Sequence, residues 1–299
     1  MKVLITGING FIGNSIARRF KVEGYEVYGV DRLNDESEFQ VEVFDLLHGD
    51  LEQLLVRTKP DIIVHCAGLA SVPHSVKYPE EDFHINTLLV HRLLFALKKC
   101  DMSKTSFMLL SSAAVYGQPE QLPISEDAAL LPLSPYALHK KMAEEVCEYF
   151  AKNYDFDVRV PRIFSAYGPG LKKQIFWDMY HKAKESGELK MLGTGMESRD
   201  YIYIDDLVEA LYLIATAPKS DNVFWNVASG EETLIKDAAS LFADAFGLPR
   251  DKVSFNGTVR EGDPINWRAD IKRLTALGFK CETKMSDGIR KYVEWLNTL

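Results

Sequence analysis

The sequence predicts an α/β fold, a doubly wound parallel sheet with a smaller α/β domain for the substrate. Three observations predict it. Short continuous apolar runs recur along the first half, amphipathic stretches of helical length separate them, and the first run passes directly into a glycine-rich turn. A strand apolar on both faces must be covered on both, and helices inserted between parallel strands supply that cover.

The elements follow in order. Residues 2–6 form an apolar, β-branched strand, and residues 12–22 the amphipathic helix beyond the turn. Residues 26–30 make a second strand that ends at Asp31. A helix over 51–57, a buried strand over 61–65 and a long helix over 80–99 come next. Residues 107–111 read as a strand, 135–153 as a helix and 157–160 as a strand. After about Ser165 the alternation weakens, and Pro169, Gly170, Gly187, Gly193 and Gly195 punctuate shorter elements. The expected division is 1–164, a nucleotide-binding domain with the catalytic residues, and 165–299, mainly substrate-binding, with some segments returning to the first.

Composition narrows the class. The 299 residues carry 43 acidic against 35 basic groups, a net charge of -8, which argues against a nucleic-acid binder working through a general basic surface. No apolar run approaches the roughly 18 to 20 residues of a membrane span. The first residues run from strand into glycine without the apolar core of a secretory signal. Cys66, Cys100, Cys147 and Cys281 share no CxxC or metal spacing, as expected of free thiols in a reducing compartment. His65, His74, His84, His91 and His139 likewise show no metal spacing and are expected to be structural or surface groups. A cytoplasmic globular protein without a metal is the expectation.

Thr6-Gly7-Ile8-Asn9-Gly10-Phe11-Ile12-Gly13 is a G-x-x-G-x-x-G pattern between the first strand and the first helix. Glycine there permits a tight turn, close approach of backbone to a pyrophosphate, and close packing of helix on strand. A glycine pattern alone is equally a plain strand–helix turn. Its context points to a dinucleotide, because Asp31 ends the next strand 18 residues after Gly13, near the spacing of a carboxylate that grips the adenosine ribose. Asp31 favours NAD by repelling a 2′-phosphate. Arg32 beside it is either a solvated loop residue or a contact for that phosphate, so NADP stays open.

Tyr136 and Lys140 stand one helical turn apart on one face. A tyrosine titrates near ~10, so service as a base near neutrality needs roughly 4 kcal/mol of added phenolate stabilisation. A neighbouring ammonium supplies part of that, with the positive nicotinamide ring expected to supply the rest. Tyr180 and Lys184 have the same spacing and read as a surface helix pair. What distinguishes Tyr136 is Ser112, 24 residues earlier, at the end of a predicted strand where an open α/β sheet presents ligands. Ser112 is otherwise a plain turn cap.

With these motifs the chain resembles the extended short-chain dehydrogenase/reductase family, in its nucleotide-sugar epimerase/dehydratase branch, which has a Rossmann-type fold. The segments that carry the resemblance are TGINGFIG (6–13), HCAGLASVPHS (65–75), SSAAVYG (111–117), YALHK (136–140), RIFSAYGPG (162–170), RDYIYIDDL (199–207) and REGDP (260–264). The resemblance implies Tyr136 as base, Ser112 hydrogen-bonding the substrate oxygen, and Lys140 on the nicotinamide ribose. It implies cofactor contacts from Gly7, Gly10, Phe11, Ile12, Gly13, Asp31, Arg32, Asp45, Leu46, Cys66, Ala67, Gly68, Asn86, Tyr136, Lys140 and Phe164. Substrate contacts are implied for Ser75, Ser112, Ser165 and Trp267, and for Arg199 and Arg260 on the diphosphate, a role suited to guanidinium groups. In the resembled family the two long helices of each subunit form a four-helix dimer interface, so the resemblance implies a homodimer, although the apolar stripes of 80–99 and 135–153 equally suit packing on the sheet.

Departures from the family pattern sharpen the activity. Ala113 and Ala114 stand where dehydratase members carry an acid pair, and alanine can neither remove a proton nor expel water. Ser165 replaces the usual asparagine, with shorter reach. Trp267 falls near the position that gates the space beside the sugar's C2 group, where a large aromatic suits a plain hydroxyl, or it is simply core. The expected activity is an NAD-dependent nucleotide-sugar 4-epimerase acting through a 4-keto intermediate. A nucleotide-sugar 4-ketoreductase using NAD(P)H is the alternative, and a non-catalytic nucleotide-binding member the more distant one.

Overall fold

The computed structural model describes residues 1–33, 38–258 and 265–299. Its main sheet holds β1 (Lys2–Thr6), β2 (Glu26–Asp31), β3 (Val41–Val43), β4 (Ile62–His65), β5 (Ser106–Leu109), β6 (Ser111–Ser112) and β7 (Val158–Ile163), joined by β12 (Phe224–Val227) from much later in the chain. The order is β12-β7-β5-β4-β1-β2-β3, with β6 beside β7, and every pairing in it is parallel.

Both faces of this sheet are buried, as the continuous apolar strands require. Val3 and Ile5 of β1 join one core with Ile16, Phe20 and Met108, while Leu4 joins the other with Leu54, Leu93, Phe107 and Val158. The helix α1 (Phe11–Val22) covers the first face, and α2 (Leu51–Thr58) lies on the second. The helical block also holds α3 (Val72–Lys77), α4 (Pro79–Phe83), α5 (Leu89–Lys99) and α6 (Pro135–Tyr154); α2 packs on α5, and α6 meets α3, α4 and α5 and lies along β6 and β7. The predicted helix over 80–99 contains a π turn, His84–Leu88, between α4 and α5. Such turns shift the side chains that follow them around the helix, and this one carries Asn86.

The later strands β8 (Ser165–Tyr167), β9 (Leu189–Met191), β10 (Ser198–Arg199), β11 (Tyr201–Tyr203), β13 (Thr233–Leu234) and β14 (Val253–Phe255) make three two-stranded sheets, β11-β8, β14-β9 and β10-β13. With them go α7 (Gln174–Ser186), α8 (Ile204–Thr216), α9 (Ile235–Phe246), α10 (Lys272–Thr275) and α11 (Met285–Leu296). The stretch 204–227 packs against the main sheet and its helix α1. β12 pairs with β7, and α8 packs on α1, where Arg19 Nε donates to Glu209 Oε2 at 2.8 Å and the guanidinium covers the Tyr212 ring.

Tyr180 is buried, correcting its reading as a surface residue. Its hydroxyl donates to the Leu296 carbonyl at 2.9 Å, tying α7 to the last helix, while Lys184 lies over the ring. Spacing alone cannot tell an i,i+4 pair that faces a core from one that faces water.

The strand order reverses at β1, whose chain leaves toward β2 on one side and later returns as β4 on the other. The carboxyl ends of β1 and β4, paired through Thr6 and His65, therefore open a crevice in which an α/β sheet takes a ligand. The glycine turn makes this possible sterically. A Cβ on Gly13 would stand 2.1 Å from the Gly7 carbonyl oxygen, and one on Gly7, which has φ of +68°, would stand 2.8 Å from Ala67 N. Gly13→Ala is expected to cost about 1–3 kcal/mol or more through backbone displacement. A urea midpoint equal to that of the wild type would contradict this.

Candidate active site

At the crevice, a cavity of about 300 Å³ is lined by the glycine turn, the end of β2, the Phe44–Leu47 stretch and the loop after β4. Asp31 stands at its rim, where Oδ2 accepts from Asn9 N at 3.0 Å and Oδ1 from Arg32 N at 2.8 Å. Arg32 is exposed. Asp45 turns its carboxylate to its own loop, accepting from the Leu47 and His48 amides, and the His48 imidazole beside it holds the acid below its ordinary range. Leu46, Phe44, Ile85 and Leu89 give one wall an apolar surface.

These groups fit a dinucleotide on three counts. The cradle is filled by any Cβ added at Gly7 or Gly13, the N-cap of α1 is Gly10, which offers no side chain to the first amides of the helix, and a carboxylate stands at the end of β2. Phe11 lies under Gly170, and Ile12 packs against the core. Cys66 and Ala67 line the same cavity as Gly68. Burial pushes the Cys66 thiol up to about 12, so it has no thiolate character near neutrality.

The catalytic candidates come together at the other end of the crevice. Ser112 ends β6, accepts from Ala114 N at 3.2 Å as the cap of the short 3-10 turn Ala113–Tyr116, and its hydroxyl acts on the Tyr136 phenol. Turn cap and phenol partner are thus one side chain. Tyr136 and Lys140 are buried in the first two turns of α6, whose N-terminus is held by Ser134 Oγ and by Ser75 Oγ, the latter accepting from Tyr136 N at 3.0 Å. Ser75 is itself fully buried and donates to the Val72 carbonyl, so its hydroxyl is engaged with backbone on both sides.

The electrostatics of the phenol run opposite to the sequence expectation. Burial pushes Tyr136 up to about 12, the Ser112 hydroxyl pulls it down, and the Asp82 carboxylate pushes it further up. Lys140 does not offset this, because its Nζ donates to the Leu110 carbonyl at 3.0 Å and burial draws the ammonium down to about 8. Within the chain alone the phenol stays protonated.

Beneath these residues lies a buried polar network that sequence reading missed. Glu144, one turn beyond Lys140, accepts from Ser111 Oγ at 2.5 Å and from Arg162 Nη2 at 2.8 Å. Arg162 lies opposite Ser111 in the β6–β7 register and donates through Nη1 to Tyr116 Oη and the Glu126 carbonyl. Tyr116 passes the chain to Asn226 of β12 at 2.6 Å.

On the substrate side, Arg199 covers the Trp267 ring at 5.6 Å and donates to the Ser198 and Ile265 carbonyls. Trp267 Nε1 donates to the Gly117 carbonyl at 3.1 Å, and its ring meets Phe164 edge-on. Phe164 is buried between Trp267 and Tyr116. Ser165 donates its amide to the Asp200 carbonyl. The Asp200 carboxylate clasps three amides, of Ser229, Gly230 and Ala269, and burial raises it to about 6. Arg260 lies outside the described residues. Among the described residues, no group of His, Cys, Asp and Glu is arranged to hold a metal, and no helix is long and apolar enough to cross a membrane.

The model of the NAD-dependent epimerase/dehydratase family matches residues 3–228. A UDP-glucose 4-epimerase of Mycolicibacterium smegmatis is 31% identical, over 99% of this chain and 98% of its own. Among solved structures, MoeE5 in complex with UDP-glucose and NAD is similar with a TM-score of 0.89 and 28% identity, over 100% of this chain and 99% of that one. The UDP-glucuronic acid 4-epimerase from Bacillus cereus, in complex with UDP-glucuronic acid and NAD, has a TM-score of 0.89 at 27% identity, with the same coverage.

Glu144→Ala strands the Arg162 guanidinium in the core, so it is expected to cost about 3–5 kcal/mol of stability. Denaturant unfolding checks this, and a loss below about 1 kcal/mol would contradict the network's structural weight.

Proposed function

The chain belongs to the NAD-dependent epimerase/dehydratase family, and from that premise we propose that it is a nucleotide-sugar 4-epimerase working with tightly held NAD. The observation that carries the reading is the convergence of three side chains: Ser112 at the end of β6 acts on the Tyr136 phenol, and Lys140, one turn further along α6, reaches Gly68 in the wall of the cofactor cavity.

Bound NAD supplies reversible oxidation at sugar C4. The protein's part is proton transfer and orientation. Tyr136 takes the proton of the C4 hydroxyl as the carbonyl forms and returns one when the alcohol is restored. In the free site the Ser112 hydroxyl lowers the cost of the phenolate; its single proton turns to the sugar oxygen once substrate is bound. Because the chain alone holds Tyr136 near 12, efficient proton removal waits for positive charge beside the phenol, which couples chemistry to a loaded site. Lys140, whose Nζ reaches Gly68, would hold the cofactor ribose. Arg199 and Arg260 bind the diphosphate, about which the 4-keto sugar turns to present its other face. Restoring the alcohol on that face leaves no net oxidation.

Ala113 supports epimerisation over 4,6-dehydration. It is fully buried in the turn after Ser112 and brings no acid to the sugar. The Trp267 ring, fixed by Gly117, Phe164 and Arg199, supports a substrate with a plain hydroxyl at C2.

Incubation with a panel of nucleotide sugars, followed by NMR of the products, is expected to show interconversion of C4 epimers without added cofactor and without net change in reduced-nicotinamide absorbance. Stoichiometric consumption of NADPH with a 4-keto sugar would overturn the epimerase reading. Tyr136→Phe is expected to lower kcat by about 10²- to 10⁴-fold while NAD binding persists. Unchanged turnover would overturn the role of the phenol.

A further inference from the structure

Asp82 is a fully buried carboxylate that the proposed chemistry does not use. Its Oδ1 accepts from Asn86 Nδ2 at 3.0 Å, and its Oδ2 meets His139 Nδ1 at 2.7 Å. Asn86 cannot turn its amide around. Its Oδ1 accepts from Leu69 N at 3.2 Å and its Nδ2 also donates to the Leu69 carbonyl at 3.0 Å, so a donor faces Asp82. His139, expected from sequence to be structural or at the surface, is buried against Phe83, and its own carbonyl accepts from Thr87 Oγ1.

The chain His139–Asp82–Asn86–Leu69 therefore runs from α6, through the π turn, to the loop after β4, and it closes on Lys140. A Cβ on Gly68 would stand 2.9 Å from Asn86 Oδ1 and 3.5 Å from Lys140 Nζ, so amide and ammonium reach the same glycine. Lys140 is buried and donates to a neutral carbonyl, an arrangement that favours loss of its proton unless a carboxylate offsets it. Two carboxylates act on it, Asp82 most strongly and then Glu144, with the Cys147 and Cys66 thiols adding less and the His65 ring facing it from β4. Glu144 already serves the Arg162 guanidinium and Ser111.

We propose that Asp82 and His139 are positioning residues for Lys140: the carboxylate, fixed between His139 and Asn86, is the counter-ion that keeps the lysine an ammonium where it meets the cofactor. This rests on the functional reading above, in which Lys140 holds NAD. Removing the counter-charge moves loss of the Lys140 proton to lower pH. Removing the His139 donor leaves the carboxylate one donor short, which favours its neutral form and shifts Lys140 the same way.

The test is calorimetric titration of NAD into the full chain, stripped of bound nucleotide, from about pH 6 to about pH 9. Wild-type affinity is expected to weaken above about pH 8, where Lys140 loses its proton. Asp82→Asn is expected to match the wild type within about twofold near pH 6, and to bind about fivefold more weakly near pH 8 and approaching tenfold near pH 9, as for a lysine titrating one pH step lower. His139→Leu should follow Asp82→Asn, while His139→Gln, which keeps a donor, should follow the wild type. A profile superimposed on the wild type, or an equal loss at every pH, would overturn the proposal. If Asp82→Asn fails to fold, the Leu and Gln variants at 139 decide, and identical profiles for those two would overturn it. A wild-type chain that binds no NAD would overturn the functional reading as well as this one.

Discussion

The Glu144–Arg162 pair is the constraint on which the site depends. Two opposite charges buried together are costly to separate, so the elements that carry them move as one body. Glu144 rides on the helix that carries Tyr136 and Lys140, and through Ser111 it grips the strand that ends in Ser112. Arg162 extends the grip across β7 to Tyr116, and from there to Asn226. The approach of Ser112 to the Tyr136 phenol is the result. A phenol and a hydroxyl on separate elements stay in register because Glu144, one turn beyond Lys140, is bolted to Ser111, the residue before Ser112.

The electrostatics follow from the same burial. An active site dry enough to make proton transfer selective is also one that resists charge. It lifts the Tyr136 phenol to about 12 and draws the Lys140 ammonium down to about 8. The two shifts oppose the charged forms that the proposed chemistry needs, so carboxylates and hydroxyls around the pair are as much part of the site as the pair itself. Asp82 illustrates the compromise: its charge favours the ammonium and disfavours the phenolate. On the substrate side the Asp200 carboxylate has a similar organising place, pinning the loop after β12 and the segment beyond Trp267 to the strand pair around Arg199.

Much of this was legible in the sequence wherever the signal is local. The glycine spacing of 7, 10 and 13 encodes a close approach of backbone to backbone, and the structure shows that approach at 2.1 Å from an added Cβ. The first strands were readable because burial on both faces makes them continuously apolar, and α6 because its amphipathic run begins at a serine cap and a proline. What escaped was non-local. Glu144 and Arg162 look like ordinary charges on a helix and a strand until the fold sets them together. Asp82 lies 57 positions from His139, and nothing in the spacing of either announces a partner. That some later segment returns to the first part was expected, but which one was not legible, since the four residues of β12 could have closed a sheet in either half. One signal was available and unused: a carboxylate and an amide at positions 82 and 86, four apart in a helical run, mark a pair that can bond along one face.

The central claim is that a sugar is oxidised and restored at C4 within one active-site visit. The most direct measurement is mass spectrometry and NMR of a nucleotide sugar deuterated at C4, turned over together with an unlabelled substrate whose nucleotide carries a heavy isotope. The account predicts that deuterium stays at C4 of both epimers, does not cross to the heavy nucleotide and does not exchange with water. Loss of the label to solvent would contradict it, since that requires C4 epimerisation by removal of a proton.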